Sequence, residues 1–275
     1  MNLETYLKNA VMALEYKEVP TARLDVLVLL EDALGKDRAW LLAHLDLPLD
    51  EPTIQKLNEW IKRRAQHEPL AYIRGRSEFY GREFLVTADT LQPRTETETM
   101  IDLLKGLKLT KPVIADIGTG SGCLAITSAL ELQGAKVHAT EINAAALKIA
   151  KQNAKKLGAS VAFYKGNLAA PILEAKVQPT VLLANLPYVP DAHTINQAAM
   201  HEPKIAIFGG EDGLDFYREL FAQIKNSGKI ATKLQFILTE SLPFQHAELA
   251  NIAKQHGFKQ TAKEDFIQVF KRSKS

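Results

Sequence analysis

The chain has 275 residues, 46% hydrophobic and 24% charged, with an ordinary complement of 15 glycines and 12 prolines. That composition excludes fibrous and disordered classes, and the length favours two domains, or one large domain with an appendage. With 34 basic and 32 acidic side chains the formal net charge is +2, too small to make the whole surface a polyanion binder.

No aliphatic run is long enough for a bilayer, and the polar-periodic start MNLETYLKNAVMALEYKE carries no secretory apolar region. A cytoplasmic location with no membrane partner is therefore expected. The single cysteine, Cys123, leaves no internal disulfide, and the seven histidines show neither HExxH nor a Cys/His ligand spacing, so no metal is expected.

Residues 1 to about 68 predict helices only, with Leu3, Tyr6, Leu7 and Val11, then Leu24, Leu27 and Val28, at helical spacing. Pro20 precedes the second helix, Gly35 ends it, Asp37 caps the third, and Asp50-Glu51-Pro52 reads as the first turn of a fourth. That helix carries Ile54, Leu57 and Ile61 on one face and runs into Lys62, Arg63 and Arg64, cations that suit the carbonyl end of a helix dipole. A solvated helix end is the simpler reading of these three, and a binding patch the other.

From Leu70 to Val86, short aromatic and β-branched segments predict a two-stranded linker turning at Tyr80-Gly81. Thr95 and Glu98 then read as a capping box ahead of Met100, Ile101, Leu103 and Leu104. Beyond this the pattern alternates. Strands are expected at Val113 to Ile117, Lys136 to Glu141, Val161 to Lys165, Val181 to Ala184, Lys229 to Thr239 and near Phe266 to Phe270. Helices are expected from Ser121 to about Leu132, Asn143 to Leu157, Leu214 to Ile224 and near His246 to His256. Such alternation implies an α/β domain with a mainly parallel sheet of about seven strands and helices on both faces.

The first of these strands runs into Asp116-Ile117-Gly118-Thr119-Gly120-Ser121-Gly122, a glycine loop opening a helix. Glycines there admit positive φ and close ligand approach, and the helix start supplies N–H donors. A dinucleotide fingerprint, G-x-G-x-x-G, needs its third glycine where Cys123 stands. The spacing G-x-G-x-G after an acid instead resembles the first motif of S-adenosylmethionine-dependent methyltransferases; a ligand-free tight turn is the plain alternative. Glu141 ends the second strand, where a carboxylate accepts hydrogen bonds from ribose hydroxyls in NAD and S-adenosylmethionine sites alike. Asn167, in Gly166-Asn167-Leu168, is placed for an adenine edge or for an ordinary turn.

The strand Val181 to Ala184 ends in Asn185-Leu186-Pro187-Tyr188, at the edge where open α/β sheets bind ligands. An amino group on an sp² carbon has a delocalised lone pair and is a poor nucleophile, so an enzyme that methylates it must hold both N–H groups and aim the nitrogen. The Asn185 side-chain oxygen and the Leu186 carbonyl offer two acceptors, with Tyr188 to pack against the planar group. A proline loop with a capping Asn is the structural alternative.

With both loops in hand, the chain resembles the HemK-type, PrmC-like release-factor glutamine N5-methyltransferases. The resemblance spans almost the whole chain and includes EPLAYIRGRSEFYGREFLV, LQPRTETE and EPKIAIFGGEDGLDFYREL. It implies a seven-stranded Rossmann-like class I methyltransferase domain (91–275) preceded by a small all-α substrate-recognition domain (1–68) and a β-hairpin linker (69–90). By position, Gly118, Thr119, Gly120, Ser121 and Gly122, with Asp116, would hold the methionine part of S-adenosyl-L-methionine and Glu141 its ribose. Asn167 and Leu168 would lie by the adenine, while Asn185, Leu186, Pro187 and Tyr188 would hold the substrate amide, with Asn185 also near the cofactor. The implied partner is a peptide-chain release factor, methylated at the glutamine of its Gly-Gly-Gln loop, with no nucleic-acid binding required and a monomeric enzyme expected.

The chain departs from the family pattern in four places, one of them the end KEDFIQVFKRSKS, where the family's carboxyl-terminal Asp, Gly and Arg pattern is not evident. Leu186 stands where the family has proline, and Asn167 where it has aspartate. Glu240-Ser241-Leu242-Pro243-Phe244-Gln245 replaces an acid-x-Gly-x-x-Gln segment. The competing functions are amino-methyl transfer to a ribosomal-protein glutamine or to adenine in DNA, and a non-catalytic cofactor binder. An NAD-dependent oxidoreductase is disfavoured by the glycine spacing.

Overall fold

The computed structural model describes residues 1–273, so Lys274 and Ser275 of the expected second domain lie outside the described residues. The chain divides into two compact units, Met1–Gly75 with Ile195–His201, and Arg76–Thr194 with the chain from Glu202 onward.

The smaller unit is helical: α1 (Leu3–Tyr16), α2 (Ala22–Leu34), α3 (Arg38–Ala43), α4 (Glu51–Arg64) and α5 (Leu70–Arg74). Asn2, Asp37 and Asp50 each cap a helix, accepting from the backbone N–H three residues on at 2.8–3.0 Å. Gly35, at φ +63°, ends α2 in the left-handed conformation that favours glycine. Leu3, Leu14, Val26, Leu29, Leu30 and Leu57 are fully buried in its core. Leu24, expected on the apolar face, is instead 48% exposed, because Val26, Leu27, Leu29 and Leu30 form the inward stripe. Segment 70–74, expected as strand, is a helical turn: Pro69 stands at its N-cap and Gly75, at φ +71°, stops it. The basic end of α4 is paired within the unit. Arg64 donates to the buried Asp25 at 2.7 Å, and Arg63 grips Glu68 with two bonds of 2.5 and 2.8 Å. These two guanidiniums are engaged within the unit, which differs from the solvated helix end expected of them.

The larger unit begins with a hairpin, β1 (Arg76–Phe79) and β2 (Arg82–Leu85), whose turn residues Tyr80 and Gly81 both have positive φ. That geometry matches the twist of the strands it joins. Helix α6 (Glu98–Gly106) does not use the expected capping box. Its N-cap is Thr97, without a side-chain cap bond, and Glu98 instead accepts from the Tyr80 N–H at 2.8 Å, so the carboxylate satisfies the hairpin turn.

The remainder is a sheet wrapped by helices, in chain order β3 (Val113–Ile117), α7 (Cys123–Glu131), β4 (Lys136–Glu141), α8 (Ala144–Leu157), β5 (Val161–Lys165), α9 (Ala170–Glu174), β6 (Val181–Ala184), α10 (Asp215–Asn226), β7 (Phe236–Glu240), α11 (His246–Gln255), β8 (Phe258–Glu264) and β9 (Ile267–Arg272). The seven strands run β5-β4-β3-β6-β7-β9-β8, parallel through β7, with β9 antiparallel to β7 and to β8. The strand expected from Lys229 starts only at Phe236, since Gly228–Lys233 form a 3-10 helix. Strand β8, not anticipated, is an edge whose only buried residue is Phe258; its exposed Lys259 and Lys263 suit an edge that must not pair further.

Side chains alternate across the sheet. Ala115, Leu182 and Ile237 meet Tyr217, Phe221 and Leu249 on one face, while Ile114, Leu183 and Leu238 meet Met100, Leu104 and Phe84 on the other. From β3 the chain winds outward to β4 and β5, then returns to β6 on the opposite side of β3. The carboxyl ends of β3 and β6 thus flank the topological switch point, where an open α/β sheet leaves a crevice for ligands. Among the described residues, no helix is long and apolar enough to cross a membrane.

Candidate active site

The loop after β3 turns on three glycines with positive φ: Gly118 (+71°), Gly120 (+56°) and Gly122 (+86°). They serve different ends. A Cβ on Gly122 would lie 2.9 Å from Ile126 Cδ1 and 3.3 Å from the Ala150 backbone, so this glycine lets α7 and α8 close together. A Cβ on Gly120 would meet nothing within 4 Å, so that position faces open space. Asp116 braces the loop from beneath. Its buried carboxylate accepts from the Thr119 hydroxyl at 2.5 Å and the Ala125 N–H at 3.1 Å. Burial pushes its pKa up to about 7, against the pull of those two donors.

Glu141, at the end of β4, turns back onto the loop. One carboxylate oxygen accepts from the Gly120 N–H at 2.9 Å and the other from the Asn143 N–H at 2.8 Å. A carboxylate has about four acceptor sites, so both oxygens retain a lone pair after these bonds. Asn143 caps α8, accepting from Ala145 N–H at 2.8 Å, which fixes the turn that aims Glu141. Asn167 is exposed, and its side-chain amide donates to Glu219 on α10 at 2.6 Å. Leu168 follows at φ +46° with its side chain buried.

The loop after β6 is fastened from below. The Leu186 N–H donates to the Tyr217 hydroxyl at 3.3 Å, and that hydroxyl in turn bonds the Glu240 carbonyl oxygen. The Leu186 side chain is 3% exposed and lies 3.2 Å from where a Gly118 Cβ would stand, so the two loops pack directly on each other. Tyr188 donates to Glu240 Oε1 at 3.0 Å, and burial beside that carboxylate holds its phenol well above the ordinary value. Gln245 clamps the same loop, donating to the Tyr188 and Asp212 carbonyls at 2.8 and 2.7 Å and accepting from Leu242 N–H at 2.9 Å.

One cavity at the switch point brings the predicted residues together: Gly118, Gly120, Glu141, Asn167, Asn185 and Pro187 all line it, as does Asp116. Gly122 and Tyr188 are not part of the lining. Several lining or supporting residues were not among the site residues expected from the sequence. Thr97 accepts from the Asn185 amide at 3.1 Å. Buried Asn153 on α8 donates to the Ser121 and Leu85 carbonyls at 2.8 and 3.0 Å, tying the glycine loop to the hairpin. Arg94 pairs with buried Glu202, which also accepts from Gln92 N–H at 3.3 Å. The segments LQPRTETE and EPKIAIF thereby meet at the cavity wall, and their shared membership of a family-like pattern was the one sign of it. Cys123 is half-buried, and its thiol is pushed up to about 12, far from a nucleophilic thiolate at neutral pH.

The strand order, the glycine loop and the carboxylate after the second parallel strand together define a class I methyltransferase architecture. A PrmC N-terminal domain model matches residues 5–75, and a methyltransferase small domain model matches residues 96–202. A release factor glutamine methyltransferase of Bacillus subtilis (strain 168) is 38% identical over 207 residues, 72% of each chain. One from Koribacter versatilis (strain Ellin345) is 38% identical over 229 residues, 82% of this chain and 81% of its own. The hMettl16 catalytic domain, solved in complex with MAT2A 3'UTR hairpin 6, shares the fold with a TM-score of 0.53 at 15% identity, over 82% of this chain and 83% of that one. The chain belongs to the release factor glutamine methyltransferase family.

Proposed function

We propose that the protein transfers a methyl group from S-adenosylmethionine to the side-chain amide nitrogen of the glutamine in the Gly-Gly-Gln loop of a peptide-chain release factor. The observation that carries this reading is the shared cavity at the switch point, lined by both the glycine loop and the Asn185 loop. The residues fit the cofactor. Gly120 leaves open space for close approach, and Glu141 presents a carboxylate with acceptor capacity for two ribose hydroxyls. Gly118 to Ser121 would take the methionine portion, and Leu168 would pack by the adenine. Asn167, engaged with Glu219, would reach the adenine edge only by leaving that bond.

When bound, the cofactor supplies an electrophilic methyl on sulfonium. The chain's own task is to position a weak nucleophile. Asn185 Oδ1 and the Leu186 carbonyl accept the two amide N–H groups, which aims the nitrogen at the methyl and excludes other orientations. The methyl passes directly to the nitrogen, which gives up one of its two protons, and Cys123, its thiol pushed up to about 12, offers no carrier. The helical unit is assigned to release-factor recognition, since it contributes no residue to the cavity lining.

The test is incubation with methyl-labelled S-adenosylmethionine and, in separate reactions, a release factor, ribosomal proteins and DNA. Label is expected on the release factor. Label on ribosomal protein or DNA alone overturns the substrate assignment.

A further inference from the structure

Three backbone segments meet at one side chain. Gln245, 3% exposed, stands just before α11, and its Oε1 accepts from the Leu242 N–H at 2.9 Å, which turns its nitrogen the other way. Nε2 then donates to the Tyr188 carbonyl at 2.8 Å and to the Asp212 carbonyl at 2.7 Å. A glutamine amide has two donor hydrogens, and these two carbonyls take both. The approach is close. A Cβ on Gly213, at φ +80°, would lie 2.1 Å from the Tyr188 carbonyl oxygen and 2.4 Å from Gln245 Nε2, so a bare glycine lets the three groups meet. Beyond Tyr188 the chain stays pinned to the same neighbour. Val189 N–H donates to the Ile207 carbonyl at 3.0 Å, and Gly209 N–H returns a bond to the Val189 carbonyl at 2.9 Å.

The Leu186 carbonyl, one of the two acceptors proposed for the substrate amide, lies two residues before the Tyr188 carbonyl. Ahead of it the loop is fastened by the Leu186 N–H on Tyr217. After it comes Pro187, whose ring fixes its own φ but which has no N–H to tether. Leu186 carries no ring, so the direction of its carbonyl depends on the anchors to either side. We infer that Gln245 is a positioning residue: by holding the Tyr188 carbonyl it sets the Leu186–Pro187 peptide, so that the Leu186 carbonyl faces the nitrogen that is methylated. The inference rests on the proposed role of the Asn185 loop and adds what aims one of its two acceptors.

Gln245→Glu keeps the shape and the acceptor for Leu242 but, ionised, turns oxygen lone pairs toward both carbonyls. It should lower kcat on a release factor roughly tenfold or more, since an acceptor for the reacting amide is left misaimed. The rate is counted per cofactor site, from the stoichiometry of S-adenosylmethionine calorimetry, so that loss of folded protein alone does not register. Cofactor affinity should stay within about twofold. In an Asn185→Ala background the same substitution should change kcat less than about threefold, because two acceptors that hold one amide act as a unit and are non-additive. Wild-type kcat per site in Gln245→Glu, or a full multiplicative loss in the Asn185→Ala background, overturns the inference. If Gln245→Glu does not fold, Gln245→Met makes the same test without a charge: it keeps the length and removes both donors, with the same fall in kcat per site expected and an unchanged value refuting the role. Undiminished single turnover in Asn185→Ala alone would strike the underlying reading of the site, a result distinct from failure of the Gln245 clamp.

Discussion

Gly120 and Gly122 stand two residues apart with similar left-handed backbones, yet they should answer to alanine in opposite ways. At Gly122 the added carbon meets Ile126 and the Ala150 backbone, so Gly122→Ala should lower the unfolding midpoint, by more than the ~1–2 kcal/mol of left-handed strain alone. At Gly120 the space is open, so Gly120→Ala should cost only that strain while, on the proposed cofactor placement, its methyl takes room in the site. Thermal melts paired with S-adenosylmethionine calorimetry separate the two, and equal effects on both readouts would contradict the division of labour. Replacing Glu141 by alanine should weaken cofactor binding by about 1.5–3 kcal/mol, the worth of hydrogen bonds to a charged group. Unchanged affinity would remove Glu141 from the site.

Asp116 gives a pH signature. With its native pKa near 7 and the ordinary value 3.8, the folded state holds a proton that the unfolded chain has already released between those values. Stability from this group is therefore greatest below about pH 4, falls as pH rises through the window, and levels off above about 7. Urea midpoints of wild type and Asp116→Asn, compared from pH 4 to 7, should diverge accordingly; a pH-independent difference would contradict the buried acid. Local spacing made the glycine loop, Glu141 and Asn185 legible in the sequence. It did not reveal Thr97, Asn153 or Glu202, because each acts through a partner 32 to 110 positions away. Asp116 was legible as a candidate site residue, and it both lines the cavity and braces the loop through its bonds.

At the scale of elements, β3 and β6 were readable as short, continuous apolar runs, and β4 and β5 from the alternation of strand with helix. Strand β8 was not, since an edge strand with one buried residue has no such signal, and Gly228–Lys233 lost its expected extension to helical hydrogen bonding. The loop after β6 has its own test. Leu186→Pro brings the residue closer to the family pattern, but it removes the N–H donated to Tyr217 and a side chain that is 3% exposed. A loss of about 1–3 kcal/mol in unfolding free energy is expected, from one buried hydrogen bond and incomplete refilling. Equal or greater stability would show that Tyr217 does not depend on that donor.

For the whole molecule, the two units have separate cores, and the helical one is held in part by the Arg64–Asp25 pair with side chains 10% and 6% exposed. Breaking such a pair leaves an uncompensated buried charge, so Asp25→Ala should destabilise the chain by about 3–5 kcal/mol. The catalytic proposal reaches across the molecule only through its substrate: a release factor must be bound as a protein while one glutamine enters the cavity. The most direct measurement is mass spectrometry of an intact release factor after reaction with S-adenosylmethionine, for wild type and Asn185→Ala. The expected result is a single methyl group on the side-chain amide of the Gly-Gly-Gln glutamine, formed by wild type and reduced roughly a hundredfold or more in rate by the substitution. A methyl group at any other atom, or full single-turnover activity in Asn185→Ala, would contradict it.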